Sequence, residues 1–137
     1  MVGTVHGACL CGAVRLTLHG ALRPVVYCHC RQCRAAHGHV GAYTSLPDDR
    51  LDIAGAESLA WFGSSEAAER GFCRVCGSCL LWRRPAEARV SVAAGCLTAP
   101  TGLTSAGHIY VASKGDYYAI TDGLSQENYG NPEQCRI

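Results

Sequence analysis

The sequence predicts a mainly β domain with little helix and a structural metal site. Short apolar runs alternate with smaller or polar residues at a period of two, which is the pattern of half-buried strands. Sixteen glycines and five prolines divide the 137-residue chain too finely for long helices. Seven of the ten cysteines fall into three tight clusters, and such clustering is typical of metal ligands.

The predicted strands follow one another along the chain. The alternation is clearest at 13–18, where Val14, Leu16 and Leu18 are separated by smaller or polar side chains. Similar runs occupy 25–27, 39–44, 80–82, 89–93 and 108–111. Glycine and proline turns separate them. The predicted helix is short, 31–36, and begins inside the middle cysteine cluster.

Length, composition and charge predict one domain spanning 1–137, without nucleic-acid or membrane partners. A mass of 14.5 kDa is near the commonest domain size. Hydrophobic residues make up 48% and charged residues 17%, which excludes a disordered chain. The net charge of +1, with no basic block, offers no electrostatic footprint for nucleic acid or an anionic membrane.

The sequence contains no candidate membrane-spanning segment and no candidate export signal. No apolar run reaches the ~20 residues that cross a bilayer. The first ten residues lack a basic segment followed by an apolar one. We therefore expect a cytoplasmic protein, where reduced cysteines are metal ligands or reactive thiols rather than disulfides.

Two of the cysteine clusters predict a structural zinc site. Cys73 and Cys76 form a C-x-x-C pair followed by Gly77, so both sulfurs can face one side of a tight turn. Cys9 and Cys11, two residues apart, supply the second half of a tetrahedral site. Such a site contributes ~10 kcal/mol or more on binding zinc. The alternative is a redox C-x-x-C, which usually opens a helix in a thioredoxin-like alternation that this chain lacks.

The middle cluster predicts a different kind of site. Cys28, Cys30 and Cys33 bunch three sulfurs with no fourth cysteine alongside, which leaves a bound zinc an open position. Zinc at such a position can bind an incoming thiol as thiolate or polarise a carbonyl. The alternative is a second closed clamp, completed by His29 or Cys79. His29 lies between two ligands and, on a strand-like segment, should point away from them.

Five short motifs follow one another along the chain. They are GACLCGAVR at 7–15, CHCRQCR at 28–34, RGFCRVCG at 70–77, HIYV at 108–111 and TDGL at 121–124. In order and spacing this set resembles the glutathione-dependent formaldehyde-activating enzyme family. The resemblance covers about 7–125 and leaves 126–137 as a polar C-terminal tail. It implies a β-tent fold of folded antiparallel sheets, shared with a small Rab-binding zinc protein.

The resemblance also implies two zinc ions per chain, one structural and one catalytic. The implied structural ligands are Cys9, Cys11, Cys73 and Cys76, and the implied catalytic ligands are Cys28, Cys30 and Cys33. The family's reaction is the reversible condensation of formaldehyde with glutathione, formally that of a carbon-sulfur lyase. We therefore expect a zinc-dependent enzyme whose partners are a small thiol such as glutathione and an aldehyde.

Several residues could serve as the proton donor or pair with the carboxylates of glutathione. Addition produces an alkoxide, and water, His29 or His37 could protonate it. The basic residues that could pair with the two carboxylates are Arg31, Arg34, Arg70 and Lys114. Cys79, Cys96 and Cys135 exceed the family's seven cysteines, and we expect them to be buried small side chains or inert thiols.

Two other functions fit parts of the sequence. A zinc-stabilised protein-binding module without catalysis, as the Rab-binding relative suggests, has no need of three thiols around an open metal. A redox sensor or metal store would show readily oxidised thiols and loosely held metal. The middle cluster therefore favours the enzyme.

Overall fold

The computed structural model describes residues 3–130, and this part of the chain is mainly β with one α-helix, as the sequence predicts. The strands are β1 (Thr4–Ala8), β2 (Arg15–His19), β3 (Val25–Cys28), β4 (Gly41–Pro47), β5 (Leu51–Ala54), β6 (Leu59–Gly63), β7 (Glu69–Cys73), β8 (Cys79–Arg83), β9 (Arg89–Ala93), β10 (Ser105–Ile109) and β11 (Ser125–Gln126). The helix α1 spans Arg31–His37. Short 3-10 turns cover Asp48–Arg50, Ala56–Ser58, Ala94–Cys96 and Val111–Ser113.

The strands form two sheets. The smaller sheet has the order β1-β2-β5, and the larger has the order β11-β10-β3-β4-β9-β8-β7-β6. Most pairs are antiparallel, as expected. The pairs that β10 makes with β3 and β11 are parallel instead. The strand β10 therefore arrives beside β3 by a long connection rather than by a hairpin.

The predicted runs mark real strands, with shifted ends. Leu16 and Leu18 are buried at alternate positions of β2, which confirms the period-two reading. The run at 108–111 ends early, because Tyr110 has a φ of 54° in the left-handed region and begins a 3-10 turn. The strands β1, β5, β6, β7 and β11 fall outside the predicted runs.

Two groups of buried residues form the core of the described chain, and each contains two cysteines of one cluster. The larger group packs β2 of the small sheet against β4, β8 and β9 of the large sheet, and it includes Cys9 and Cys73. The smaller group includes Cys28, Cys33 and Tyr43. Two sulfurs of each cluster therefore lie in packed apolar surroundings, which restrict side-chain movement.

The chain after β11 packs back onto the domain as far as it is described. The Glu127 amide donates to the His108 carbonyl at 2.9 Å, and the Val111 amide donates to the Glu127 carbonyl at 3.0 Å. The rest of the predicted tail, 131–137 with Cys135, lies outside the described residues. Among the described residues, no helix is both long enough and apolar enough to cross a membrane.

Candidate metal centres

The structure brings Cys9, Cys11, Cys73 and Cys76 together at the junction of the two sheets. Their sulfurs all lie within 4.8 Å of one another. The Sγ atoms of Cys9 and Cys11 are 3.7 Å apart, and those of Cys11 and Cys73 are 3.8 Å apart. Four sulfurs about 2.3 Å from a tetrahedral zinc would be about 3.8 Å apart. The spacing therefore fits a closed zinc site.

Backbone geometry turns hydrogen-bond donors toward these sulfurs. The amides of Val75 and Cys76 both donate to Cys73 Sγ at 3.4 Å. In the same turn Gly77 has a φ of 80°, which favours glycine. The side chain of Ser78, followed by its backbone, lowers the pKa of the Cys76 thiol to about 5. Donors to sulfur stabilise the thiolate form, which is the form that binds metal.

The second cluster, Cys28, Cys30 and Cys33, forms where β3 meets α1. Cys28 ends the strand, Cys30 is the N-cap residue of the helix, and Cys33 lies in its first turn. The Cys33 amide donates to Cys30 Sγ at 3.3 Å, which is the capping bond of this helix. The three sulfurs lie within 4.8 Å of one another, so they can hold one metal ion.

The residues that could close this cluster point elsewhere. The two ring nitrogens of His29 bond Tyr118 and His108, as expected for a side chain on the opposite face from its neighbouring cysteines. Cys79 lines a different cavity. Among the described histidine, cysteine and acidic side chains, no fourth ligand joins Cys28, Cys30 and Cys33. The geometry supports an open site rather than a second clamp.

A line of hydrogen bonds holds His29, the residue between Cys28 and Cys30. His108 Nε2 donates to the carboxylate of Asp122 at 2.8 Å. His29 Nε2 then donates to His108 Nδ1 at 2.8 Å, and the Tyr118 hydroxyl donates to His29 Nδ1. This assignment needs neutral imidazoles. Burial, and then His108, lower the pKa of His29 to about 4, which agrees with a neutral ring.

A cavity of about 510 Å³ opens in front of the three cysteines. Its walls are formed by Cys28, Cys30, Arg31, Gln32, Cys33, Tyr43, Ser65, Arg70, Trp82, Arg84, Tyr110 and Ser113. Three of these residues are arginines, and within residues 3–130 no acidic side chain lines the space. Cys30 is the most exposed of the three thiols. The cavity therefore offers sulfur ligands and positive charge to an anionic ligand.

A buried chain of polar groups reaches the cluster from the side of β4 and β7. His37 Nε2 accepts a hydrogen bond from the Tyr43 hydroxyl at 2.5 Å. Arg70 Nη1 donates to the same hydroxyl at 3.5 Å, and Arg70 Nη2 donates to Cys33 Sγ at 3.6 Å. Burial is the largest single influence and opposes the charge of Arg70, but Cys33, Tyr43 and Cys30 together outweigh it and raise the pKa of Arg70.

The structure sorts the candidate proton donors and carboxylate partners. Neither His29 nor His37 lines the cavity, so of the three proton donors considered from the sequence only water has direct access to it. Arg31 and Arg70 line it, whereas Arg34 and Lys114 do not. The Lys114 ammonium donates to the carbonyls of Gly115 and Tyr118 instead.

Several residues of the site carry no sequence signal of their role. Arg84 and Trp82 reach the cavity from β8 and the turn after it. His108 and Asp122 belong to the motifs HIYV and TDGL, but only the fold shows that His108 bonds His29 and that Asp122 bonds His108. Cys79 and Cys96 line a separate cavity of about 430 Å³. Burial raises the pKa of both thiols, which suits inert side chains.

The fold and the site together define a mainly β domain with two cysteine-rich candidate metal centres, one with four sulfurs and one with three sulfurs that face a cavity. A family model described as glutathione-dependent formaldehyde-activating enzyme matches residues 4–113. The chain belongs to this family.

Comparison with solved structures agrees with the fold. A crystal structure of a Rhodobacter sphaeroides protein, a Northeast Structural Genomics target, is similar with a TM-score of 0.59 and 26% sequence identity. The match covers 75% of this chain and 98% of that one. No curated protein matches the sequence.

Proposed function

We propose that this protein is a zinc-dependent carbon-sulfur lyase that catalyses the reversible addition of glutathione, or a similar small thiol, to formaldehyde. The observation that carries the proposal is the open cluster of Cys28, Cys30 and Cys33 in the wall of a cavity lined by arginines. Family membership supports an enzyme acting on glutathione and formaldehyde. Cys9, Cys11, Cys73 and Cys76 would hold a second, structural zinc.

The reaction needs a thiolate and an aldehyde brought together. A zinc ion held by Cys28, Cys30 and Cys33 would supply Lewis acidity that favours the thiolate form of the substrate at neutral pH. The thiol gives its proton to water, the sulfur electron pair forms the carbon-sulfur bond, and the carbonyl π pair moves to oxygen. That oxygen then takes a proton from water, since neither nearby histidine lines the cavity. The reverse sequence releases formaldehyde.

The cavity walls would bind and orient the substrate. Glutathione carries two carboxylates, and Arg31 and Arg84 lie on the cavity wall where a guanidinium can hold a carboxylate through two parallel bonds. Trp82 and Tyr110 offer apolar surface to the peptide backbone. Holding the thiol beside formaldehyde converts a bimolecular encounter into a local one, which is a large source of rate acceleration.

Magnetisation-exchange NMR on a mixture of glutathione and formaldehyde tests the proposal directly. The zinc-loaded wild-type protein should accelerate exchange between formaldehyde hydrate and S-(hydroxymethyl)glutathione. The Cys30→Ser variant should return the exchange to the uncatalysed rate while keeping the fold, because it removes one ligand of the open cluster.

Cys96→Ser is the matched control, since Cys96 lines the other cavity and belongs to neither cluster. It should exchange at the wild-type rate. A fully active Cys30→Ser protein would remove the catalytic assignment. Absence of acceleration by the wild type would favour a zinc-stabilised binding module.

A further inference from the structure

Arg70 is a buried cation whose partners are a sulfur and a hydroxyl rather than a carboxylate. Its side chain lies on β7 and the residue is only 7% exposed. Its guanidinium donates to Cys33 Sγ and to the Tyr43 hydroxyl. None of the ion pairs found within residues 3–130 includes Arg70. The three-cysteine cluster is therefore its counter-charge.

A buried guanidinium needs an anion, because removal from water costs more than neutral hydrogen bonds return. Three thiolates around one divalent ion carry a net charge of −1, which satisfies this need. A fourth thiolate would bring the charge to −2 in a half-buried space. A fixed cation against the sulfurs offsets this added charge without reorganisation at the moment of binding.

Neighbouring groups hold Arg70 in place. The Tyr43 hydroxyl accepts from Arg70 and donates to His37, so its oxygen lone pairs face the guanidinium. Tyr43 is 1% exposed and packs in the same buried group as Cys28 and Cys33. The guanidinium of Arg70 is thus held beside the three-cysteine cluster, whereas Arg31 is exposed at the start of α1.

We propose that Arg70 is a positioning residue that offsets the negative charge of the substrate thiolate when it joins the three-cysteine cluster. This inference rests on the proposed function and adds to it a division of labour between arginines. Arg70 acts on the thiolate, whereas Arg31 and Arg84 act on the carboxylates. Recognition of the thiolate and recognition of the peptide are therefore separable.

The test compares two ligands that differ only at sulfur. Binding of glutathione and of S-methylglutathione to the zinc-loaded protein is measured by calorimetry for wild type, Arg70→Met, Arg70→Lys and Arg31→Met. Wild type should prefer glutathione. Arg70→Met should lose about tenfold or more of that preference, because it removes a hydrogen bond and a charge. Arg70→Lys should keep most of it, and Arg31→Met should weaken both ligands equally.

A spectroscopic readout accompanies the binding data. Proteins loaded with cobalt, without added thiol, show sulfur-to-cobalt charge-transfer absorption that depends on hydrogen bonds to the sulfurs. Arg70→Met should shift this band while binding the same amount of cobalt. If Arg70→Met does not fold, Tyr43→Phe carries the test, since it removes the oxygen that holds Nη1 and should shift both readouts in the same direction.

The outcomes separate the inference from the function on which it rests. If wild type prefers glutathione and Arg70→Met keeps that preference, the inference is wrong and the proposed function stands. Equal weakening of both ligands by Arg70→Met would make Arg70 a carboxylate partner and would also overturn the inference. If wild type shows no preference for glutathione, the proposed function fails, and the role of Arg70 toward substrate fails with it.

Discussion

The three cysteines of the open cluster have different surroundings, and these suit different roles. Cys28 and Cys33 are almost fully buried, at 2% and 3% exposure. Cys30 is more exposed and caps the helix, where backbone amides and the helix dipole favour a negative sulfur. We therefore expect Cys28 and Cys33 to fix the metal, while Cys30 shares the face that substrate approaches.

The titration of His37 predicts a pH dependence of stability. Burial, and then the charge of Arg70, lower the pKa of His37. The unfolded chain therefore binds more protons in the window between the lowered pKa and the ordinary histidine value of about 6.5. Stability should fall as the pH is lowered through this window. Urea unfolding of zinc-loaded wild type and His37→Gln from about pH 7 to about pH 5 measures the effect.

In His37→Gln the amide oxygen can still accept from Tyr43, but it does not titrate. Its stability should depend less steeply on pH than that of wild type, because the cysteines are unchanged and their contribution cancels in the comparison. Equal slopes for the two proteins would contradict a buried, neutral His37.

The seven clustered cysteines were accessible from spacing alone, whereas their charged neighbour was not. Cysteines two or three residues apart must lie close together whatever the fold. The sequence named Arg70 only as a candidate partner of the glutathione carboxylates; its contact with Cys33 spans 37 residues of sequence, and no local pattern predicts it. Pairing of β7 with β6 and β8 places Arg70 there, and this pairing depends on the whole sheet.

The junction of β3, α1 and β4 fixes the open cluster. Gly41 of β4 lies opposite Cys28 of β3 and directly beside Cys33. A Cβ added at Gly41 would lie 2.9 Å from the Tyr43 ring and 3.0 Å from Cys33 Sγ. Only glycine lets the strand pass this close to the sulfur.

Gly41→Ala should therefore disturb the open cluster more than the fold. We expect a loss of about 1–3 kcal/mol in the free energy of unfolding. Zinc affinity of the open cluster should fall about tenfold, because the Cys33 side chain must move. Competition with a chromophoric chelator measures the affinity of both zinc sites.

Gly63→Ala is the matched control, since an added Cβ there meets nothing within 4 Å. It should bind zinc as wild type does. Unchanged zinc binding by Gly41→Ala would show that the contact with Cys33 does not constrain the metal site.

Regular alternation made some strands predictable, whereas others gave no distinct local signal. In β2 the apolar positions mark the buried face directly, whereas β9 is a short apolar run that is buried on both faces, Ser91 included. The strand β7 contains Arg70 and Gly71, both buried, so its sequence lacks an apolar period. The strand β5 does alternate, but it begins directly after the turn at Asp48–Arg50, and β11 has only two residues. The parallel pairing of β10 depends on distant partners and leaves no local trace.

The four-cysteine cluster joins the two sheets. Cys9 and Cys11 follow β1 of the small sheet, whereas Cys73 ends β7 of the large one. Cys11 and Cys73 are separated by 62 residues in sequence. A metal at this position closes a long loop and links the sheets, so its binding energy adds to folding energy.

Cys73→Ser should therefore destabilise the whole domain. Loss of one ligand leaves three thiols grouped without their metal, and we expect several kcal/mol of the ~10 kcal/mol zinc contribution to be lost. Thermal unfolding followed by circular dichroism should show a much lower midpoint, or no cooperative transition. Cys30→Ser should keep a midpoint close to that of wild type. A soluble, normally folded Cys73→Ser protein would count against the clamp.

The line of hydrogen bonds that runs from Asp122 through His108 and His29 to Tyr118 limits how short the protein can be made. The family match ends at residue 113 and contains all seven clustered cysteines. Tyr118 and Asp122, the two ends of that line, lie beyond it. A chain truncated after Ser113 would still be recognised as a member of the family, yet His29 would lose its hydrogen bond to Tyr118 and His108 would lose its hydrogen bond to Asp122. The segment that matches the family model is thus shorter than the segment that supplies all the hydrogen-bond partners of His29 and His108.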